Sequence, residues 1–164
     1  MRLDKKKILI FTATYNEKEN IENLIHSINN TNPEVDIFII DDKSPDNTYY
    51  IIKDLQKKYN NISLKIRSSK SGLDTAHKEA YEYAILNNYD YLITMDADLS
   101  HDPKEIPNFL SKIKNNDFVI GSRYMKKGKN KMKFSRLALS KIGNSIIKFS
   151  FKSHLDEFTT SYRA

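Results

Sequence analysis

Tyr91-Leu92-Ile93-Thr94-Met95-Asp96-Ala97-Asp98 decides how this chain is read. A short apolar run, then two carboxylates one residue apart, describes a buried strand that ends where the chain turns abruptly polar. The same change occurs twice upstream. Residues 7–13 (KILIFTA) run into Thr14-Tyr15-Asn16-Glu17, and residues 36–41 (DIFIID) run into Asp42-Lys43-Ser44-Pro45-Asp46-Asn47-Thr48.

The stretches between these strands carry helical spacing. Residues 17–30 place Ile21, Leu24, Ile25 and Ile28 on one face. Asp46 suits the N-cap of a second helix with a face of Ile51, Ile52, Leu55 and Tyr59. Residues 62–67 alternate as a strand does. Residues 75–87 form a helical pattern through Ala76, Ala80, Tyr83 and Ala84. Pro103 fits the start of a helix carrying Ile106, Leu110 and Ile113. Residues 118–121 read as a fifth strand, 128–133 as a basic loop, and 134–151 as a longer helix, apolar around Ile146, Ile147, Phe149 and Phe151. Strands alternating with helices predict an α/β fold, a mostly parallel central sheet with helices on both faces. Ligands of such sheets bind outside the carboxyl ends of the strands, where the three polar clusters fall.

The chain of 164 residues is long enough for one sizeable core, and its 39% hydrophobic and 29% charged residues are ordinary for a globular domain. No apolar run approaches the roughly 20 residues that span a bilayer. The charged first residues lack the apolar stretch of a signal peptide. The absence of cysteine excludes disulfides and thiolate metal sites and fits a cytoplasmic chain. The net charge of +6 is unevenly spread. Residues 123–152 hold ten of the 27 basic residues and no acid, so the other 17 face all 21 acids. A basic carboxyl-terminal third on a mildly acidic body points to an anionic partner, or to a solvated lysine-rich face. No aromatic-interleaved basic motif supports nucleic acid.

Two carboxylates at a strand end, Asp96 and Asp98, can reach one hard cation. Mg²⁺ or Mn²⁺ is commonly held by one or two carboxylates plus substrate phosphates. The same string also fits a turn ahead of the Pro103 helix. Asp42 is placed to accept from a ribose or base edge, and Asp46 to serve the helix cap. No G-x-G-x-x-G and no phosphate-loop motif occurs, and His26, His77, His101 and His154 lack zinc spacing. His26 and His77 read as structural.

Taken together, Ala13-Thr14-Tyr15-Asn16-Glu17, Asp41-Asp42 with Ser44-Pro45-Asp46, Ser71-Gly72-Leu73, Asp96-Ala97-Asp98-Leu99-Ser100-His101, Gly121-Ser122-Arg123-Tyr124 and Thr159-Thr160-Ser161-Tyr162-Arg163 resemble the ordered motifs of dolichol-phosphate mannose synthases and related family 2 glycosyltransferases. The resemblance runs from Ile8 to Arg163. It implies the Rossmann-like GT-A fold in a single catalytic domain over 1–164, truncated at its carboxyl end. Residues 1–122 would bind nucleotide sugar and metal, and 123–164 would face acceptor and membrane.

By that likeness Tyr15 and Glu17 line the nucleotide pocket beside Ala13, Ile40 and Asp42. Asp96, Ala97 and Asp98 hold the Mg²⁺ or Mn²⁺ and the diphosphate, with Asp98 the most direct ligand. Arg123 and Arg163 manage phosphate charge at the reaction centre, and Arg136 and Ser140 receive the acceptor phosphate. The implied reaction moves a hexose, mannose foremost, from GDP-mannose or a UDP-hexose to a polyprenyl or dolichyl phosphate with inversion. The implied location is peripheral, at the cytoplasmic face of a membrane. Two alternatives stay open. One is a saccharide or lipid hydroxyl acceptor, with Asp156 or Glu157 as base; the other is an inactive nucleotide- or membrane-binding fragment. The chain departs from the family pattern at Ala13, where proline is usual, and at Lys43, Asn47 and Asp74, where glycine or asparagine is usual.

Overall fold

The computed structural model describes residues 6–122, 134–151, 158 and 160–164; for 134–139 and 141 it describes the backbone alone. In chain order the elements are β1 (Ile8–Thr14), α1 (Ile21–Thr31), β2 (Asp36–Asp41), α2 (Thr48–Gln56), β3 (Ile62–Ile66), α3 (Leu73–Leu86), β4 (Tyr91–Thr94), a 3₁₀ turn (Pro103–Glu105), α4 (Ile106–Ile113) and α5 (Phe134–Ser150). The four strands pair in parallel in the order β3-β2-β1-β4. The chain builds outward from β1 through β2 to β3, then returns to add β4 on the other side. The order reverses between β1 and β4, and that gap at the carboxyl ends is where open α/β sheets bind ligands.

Because β1 and β2 are covered on both faces, they are apolar almost throughout rather than alternating. Their pleat divides the core in two. Ile10, Ile37, Ile39 and Ile93 pack with Ile21, Leu24, Ile25 and Ile28 of α1, Ile52 and Leu55 of α2, and Ile106 and Phe109. Leu9, Phe11, Phe38 and Ile40 face Ala76, Ala80 and Ala84 of α3. The small alanines let α3 lie close to the sheet. The four apolar residues of α1 are fully buried, and such burial contributes about 1.5–3 kcal/mol per side chain.

The expected fifth strand is realised differently. Residues 118–121 do not pair with β4. The carboxyl-terminal segment enters between them, antiparallel to both, with single bridges from Arg163 to Thr94 and to Ile120. Thr94 N donates to Arg163 O (2.8 Å), Arg163 N to Thr94 O (3.2 Å), and Val119 and Ala164 exchange two bonds of 2.8 Å. The residues that end the sequence therefore extend the sheet edge beside the carboxylates.

Candidate donor and metal site

Three loops meet beyond the carboxyl ends of the strands, and buried side-chain hydrogen bonds shape them. Asp41, fully buried, is the organiser. It accepts from Thr14 Oγ1 (2.7 Å), Ser44 N (2.8 Å) and Ser44 Oγ (2.7 Å), which locks the end of β1 to the loop after β2. Ser44 Oγ accepts from Asn16 N (3.0 Å), Thr48 Oγ1 from Glu17 N (3.0 Å), and Asp46 Oδ2 from Lys18 N (3.0 Å). Three successive amides of the Tyr15 loop are thus pinned by the β2–α2 loop. Asp46 also accepts from Thr48 N and Oγ1, so it does brace the start of α2, although the capping position itself is Asn47.

These loops hold unusual backbone. Of the five non-glycine residues with positive φ among the described residues, Asn16 (63°), Lys43 (54°), Asn47 (71°) and Leu99 (59°) lie beyond the strand ends. Such conformations cost a side-chain-bearing residue energy and cluster at functional loops. Lys43 and Asn47 are two of the departures from the family pattern. Their positive φ is a physical reason for small or flexible residues to be usual there.

Asp42 is engaged by a residue that the sequence reading missed. Arg67, just past β3, pairs through Nε with Asp42 Oδ1, and Ser71 N donates to Asp42 Oδ2 (3.2 Å). The same guanidinium donates to Thr75 Oγ1 (2.7 Å) and to Gly72 O (3.0 Å). Gly72 has φ +93°, a conformation that side-chain-bearing residues rarely adopt, so glycine is favoured at this turn. Lys65 pairs with Glu79 (2.7 Å) beside Arg67. Its hydrogen bond, against some desolvation, holds the Glu79 carboxyl below its usual range.

Tyr15 is exposed at the rim, with Lys70 Nζ 3.9 Å from its ring centroid, a cation–π contact. Glu17 accepts from Asn20 Nδ2 (2.8 Å). Ala13 and Ile40 face each other in register on β1 and β2. Ile40, however, is fully buried among the residues under α3, so its side chain belongs to the core.

On β4's side, Asp96 is partly exposed, Ala97 buried and Asp98 exposed. Asp98 Oδ1 accepts from Ser100 N (2.9 Å), which curls the loop. Asp96 N donates to His101 Nδ1 (2.9 Å). Two carboxylates with oxygens near solvent fit a hard cation completed by substrate phosphates. Among the described residues no group of three His, Cys, Asp or Glu side chains forms a self-sufficient cage.

Arg163 directs Nε to Thr160 O (2.7 Å) and Nη2 to Phe158 O (3.1 Å). His77, read from sequence as structural, lies within the electrostatic reach of both Arg163 and Asp96. Burial, reinforced by Arg163 and opposed by Asp96, pushes its pKa down. Its Nδ1 is buried without a hydrogen-bond partner. No sequence pattern singles out this histidine, because the charges that reach it, Asp96 past β4 and Arg163 in the carboxyl-terminal segment, are distant in sequence. His26 does behave structurally, bonding through Nδ1 to Tyr59 OH (2.7 Å). Arg123, Asp156 and Glu157 lie outside the described residues. Arg136 lies on α5, its side chain outside the description, and Ser140 is half-buried on the same helix.

A parallel α/β sheet with helices on both faces and polar loops at its carboxyl edge has the architecture of the GT-A fold. The family described as "Glycosyl transferase family 2" matches residues 9–164, and the chain belongs to that family. It is 32% identical over 162 residues to a polyprenol monophosphomannose synthase of Mycolicibacterium smegmatis, covering 97% of this chain and 61% of the relative. It is 31% identical over 159 residues to an undecaprenyl-phosphate mannosyltransferase of Micrococcus luteus, covering 96% and 65%. The chain thus spans less than two thirds of the length of either relative.

Among solved structures, TarS of S. aureus (residues 1–349) superposes with a TM-score of 0.58 at 17% identity over 77% of this chain and 38% of that one. The mannosyltransferase PcManGT of Pyrobaculum calidifontis, in complex with GDP-Man and Mn²⁺, gives 0.51 at 19% identity over 58% and 28%. At these identities the likeness is one of fold.

Proposed function

We propose that this chain carries the donor-binding part of an inverting glycosyltransferase that moves a hexose, mannose foremost, from a nucleotide-diphosphate sugar to a polyprenyl or dolichyl phosphate. The observation that carries this reading is the placement of Tyr15, Asp42, Asp96 and Asp98 on loops beyond the sheet's carboxyl edge, with Arg163 on the carboxyl-terminal segment that pairs with Thr94. The chain belongs to a transferase family, and the relatives it matches are named for polyprenol and undecaprenyl-phosphate mannose transfer.

In this reading residues 1–122 hold the donor. Tyr15 offers a face to the base, Lys70 adds positive charge beside it, and Glu17 and Asp42 accept from the nucleoside. The Arg67 clamp fixes how Asp42 presents itself. Asp98, with Asp96, would hold Mg²⁺ or Mn²⁺, which when bound neutralises diphosphate charge. Arg163 and Arg123 complement the same charge from the protein side. Residues 123–164 receive the acceptor, with Arg136 and Ser140 on its phosphate. An ionised phosphate oxygen attacks the anomeric carbon, the carbon–oxygen bond to the nucleoside diphosphate breaks, and configuration inverts. A phosphate nucleophile is already ionised at neutral pH, so the chain's task is positioning and charge complementarity rather than proton abstraction. The basic segment would keep the protein peripheral at the cytoplasmic face of an anionic membrane.

The test is calorimetric titration with GDP-mannose, UDP-glucose and UDP-N-acetylglucosamine, each with Mn²⁺ and with chelator. Metal-dependent binding of one donor, weakened at least about 10-fold by Asp98→Ala, is expected. Binding that is indifferent to chelator and to Asp98→Ala would overturn the metal assignment. No binding of any donor would overturn the transferase reading of this chain.

A further inference from the structure

We propose that His101 is a positioning residue, a clasp that ties the metal-facing loop 96–100 to the carboxyl-terminal segment bearing Arg163. The inference rests on the donor-site reading above, but its geometry stands apart from it.

The Asp96 amide donates to His101 Nδ1 (2.9 Å), so Nδ1 must carry a lone pair and the ring's remaining proton sits on Nε2. Nε2 faces Thr160 Oγ1 (3.4 Å) and stands 3.7 Å from Asp96 Oδ2. The ring stacks on Tyr162, with centroids 4.9 Å apart and planes at 18°. Tyr162 in turn bonds Asp102 O through its hydroxyl (2.8 Å) and packs on Phe109. One largely buried imidazole therefore touches the backbone of the first carboxylate residue on one side and two residues of the last segment on the other.

That segment aims the arginine. Thr160 O accepts from Arg163 Nε, and Thr160 Oγ1 accepts from Tyr162 N (3.2 Å). Thr94, one residue before Met95 and two before Asp96, holds the segment through its backbone pairing with Arg163 and through a bond from its hydroxyl to Ser161 O (2.5 Å). His101 closes this loop of contacts. It would fix the carboxylates and the arginine relative to each other before a donor arrives, so that little ordering is left to be done on binding.

The test compares wild type, His101→Ala and His101→Asn by amide hydrogen exchange and by titration with GDP and Mn²⁺. Asparagine returns an acceptor near the Nδ1 position but no ring for Tyr162 and no Nε2 proton. In the alanine variant, exchange is expected to quicken together in loop 96–100 and in segment 160–164, while β1 amides stay at wild-type rates. Affinity for GDP with Mn²⁺ is expected to fall about 10-fold or more. Asparagine is expected to restore loop 96–100 and most of the affinity, leaving segment 160–164 fast. Wild-type exchange in both regions of the alanine variant would overturn the proposal. So would equal acceleration throughout the core in both variants, which is the mark of a residue needed only for folding. Failure of the wild type to bind GDP with Mn²⁺ would count against the donor-site reading, and exchange would still decide the clasp.

Discussion

Arg67, just past β3, neutralises Asp42, just past β2, and the two side chains are only 7% and 10% exposed. A carboxylate just past the end of β2 is thereby oriented from behind. Removing one member of a buried pair strands the other charge. Arg67→Met is expected to destabilise the fold by roughly 3–5 kcal/mol, read by urea denaturation. Asp42→Asn combined with Arg67→Met is expected to cost less than the single change. A loss under about 1 kcal/mol in the single variant would show the pair to be solvated and dispensable.

A second expectation concerns pH. His77 has its pKa lowered from 6.5, chiefly by burial and then by Arg163. A group with a depressed folded pKa contributes stability that is present above its unfolded pKa and lost as pH falls through the folded one, because the unfolded chain takes up the proton first. Stability should therefore decline as pH drops below 6.5. His77→Gln should flatten the part of that decline owed to this ring, in denaturation midpoints taken every half unit. If wild type and variant decline in parallel, the ring does not titrate differently on folding.

Much of this layout was legible in the chain itself, and the reasons for the exceptions are physical. Buried parallel strands need continuous apolar runs, and their ends must turn polar, so Asp42 and the Asp96–Asp98 pair stood out. Ile21, Leu24, Ile25 and Ile28 announced α1 by their period, although the helix starts four residues later than the pattern suggested. The Arg67 clamp was not legible, since Arg67 and Asp42 lie 25 residues apart and no local spacing couples them. Nor was the insertion of residues 162–164 between β4 and 118–121. Three residues carry no period, and the pairing consists of isolated bridges at Arg163 rather than a ladder. Which way Ile40 faces was not legible for a related reason: a residue near a strand end can face either the mouth or the core, and the pleat turns this side chain toward α3.

The acceptor assignment makes a separate prediction. Arg136 lies on α5, on the same helix as Ser140. Arg136→Ala should abolish transfer to a polyprenyl phosphate, measured with radiolabelled donor, and leave calorimetric donor binding within about 2-fold of wild type. That division follows if the arginine meets only the second substrate, whose phosphate needs a bidentate partner. Loss of donor binding as well would move Arg136 to the donor site. Retained transfer would remove it from the acceptor site.

The remaining expectation concerns what α5 rests on. No helix among the described residues is long and apolar enough to cross a membrane. Yet Ile142, Ile146 and Phe149, at i, i+4 and i+7, share one face of α5, and they and Phe151 are 59–88% exposed. Lys148 adds charge beside them, within a stretch, 123–152, that contains no acid. Exposed apolar surface edged with cations is the chemistry of a helix lying in an anionic lipid interface. Co-sedimentation with vesicles containing phosphatidylserine should exceed that with phosphatidylcholine alone and fall as salt rises, since screening shortens the reach of the lysines. Ile146→Ser with Phe149→Ser removes apolar area without altering charge. It should lower partitioning about 10-fold or more at constant salt, since about 1.4 kcal/mol of lost burial is a tenfold change. If the serine variant sediments like wild type while salt still releases both, the attraction is purely electrostatic and the apolar face of α5 is covered by something other than lipid.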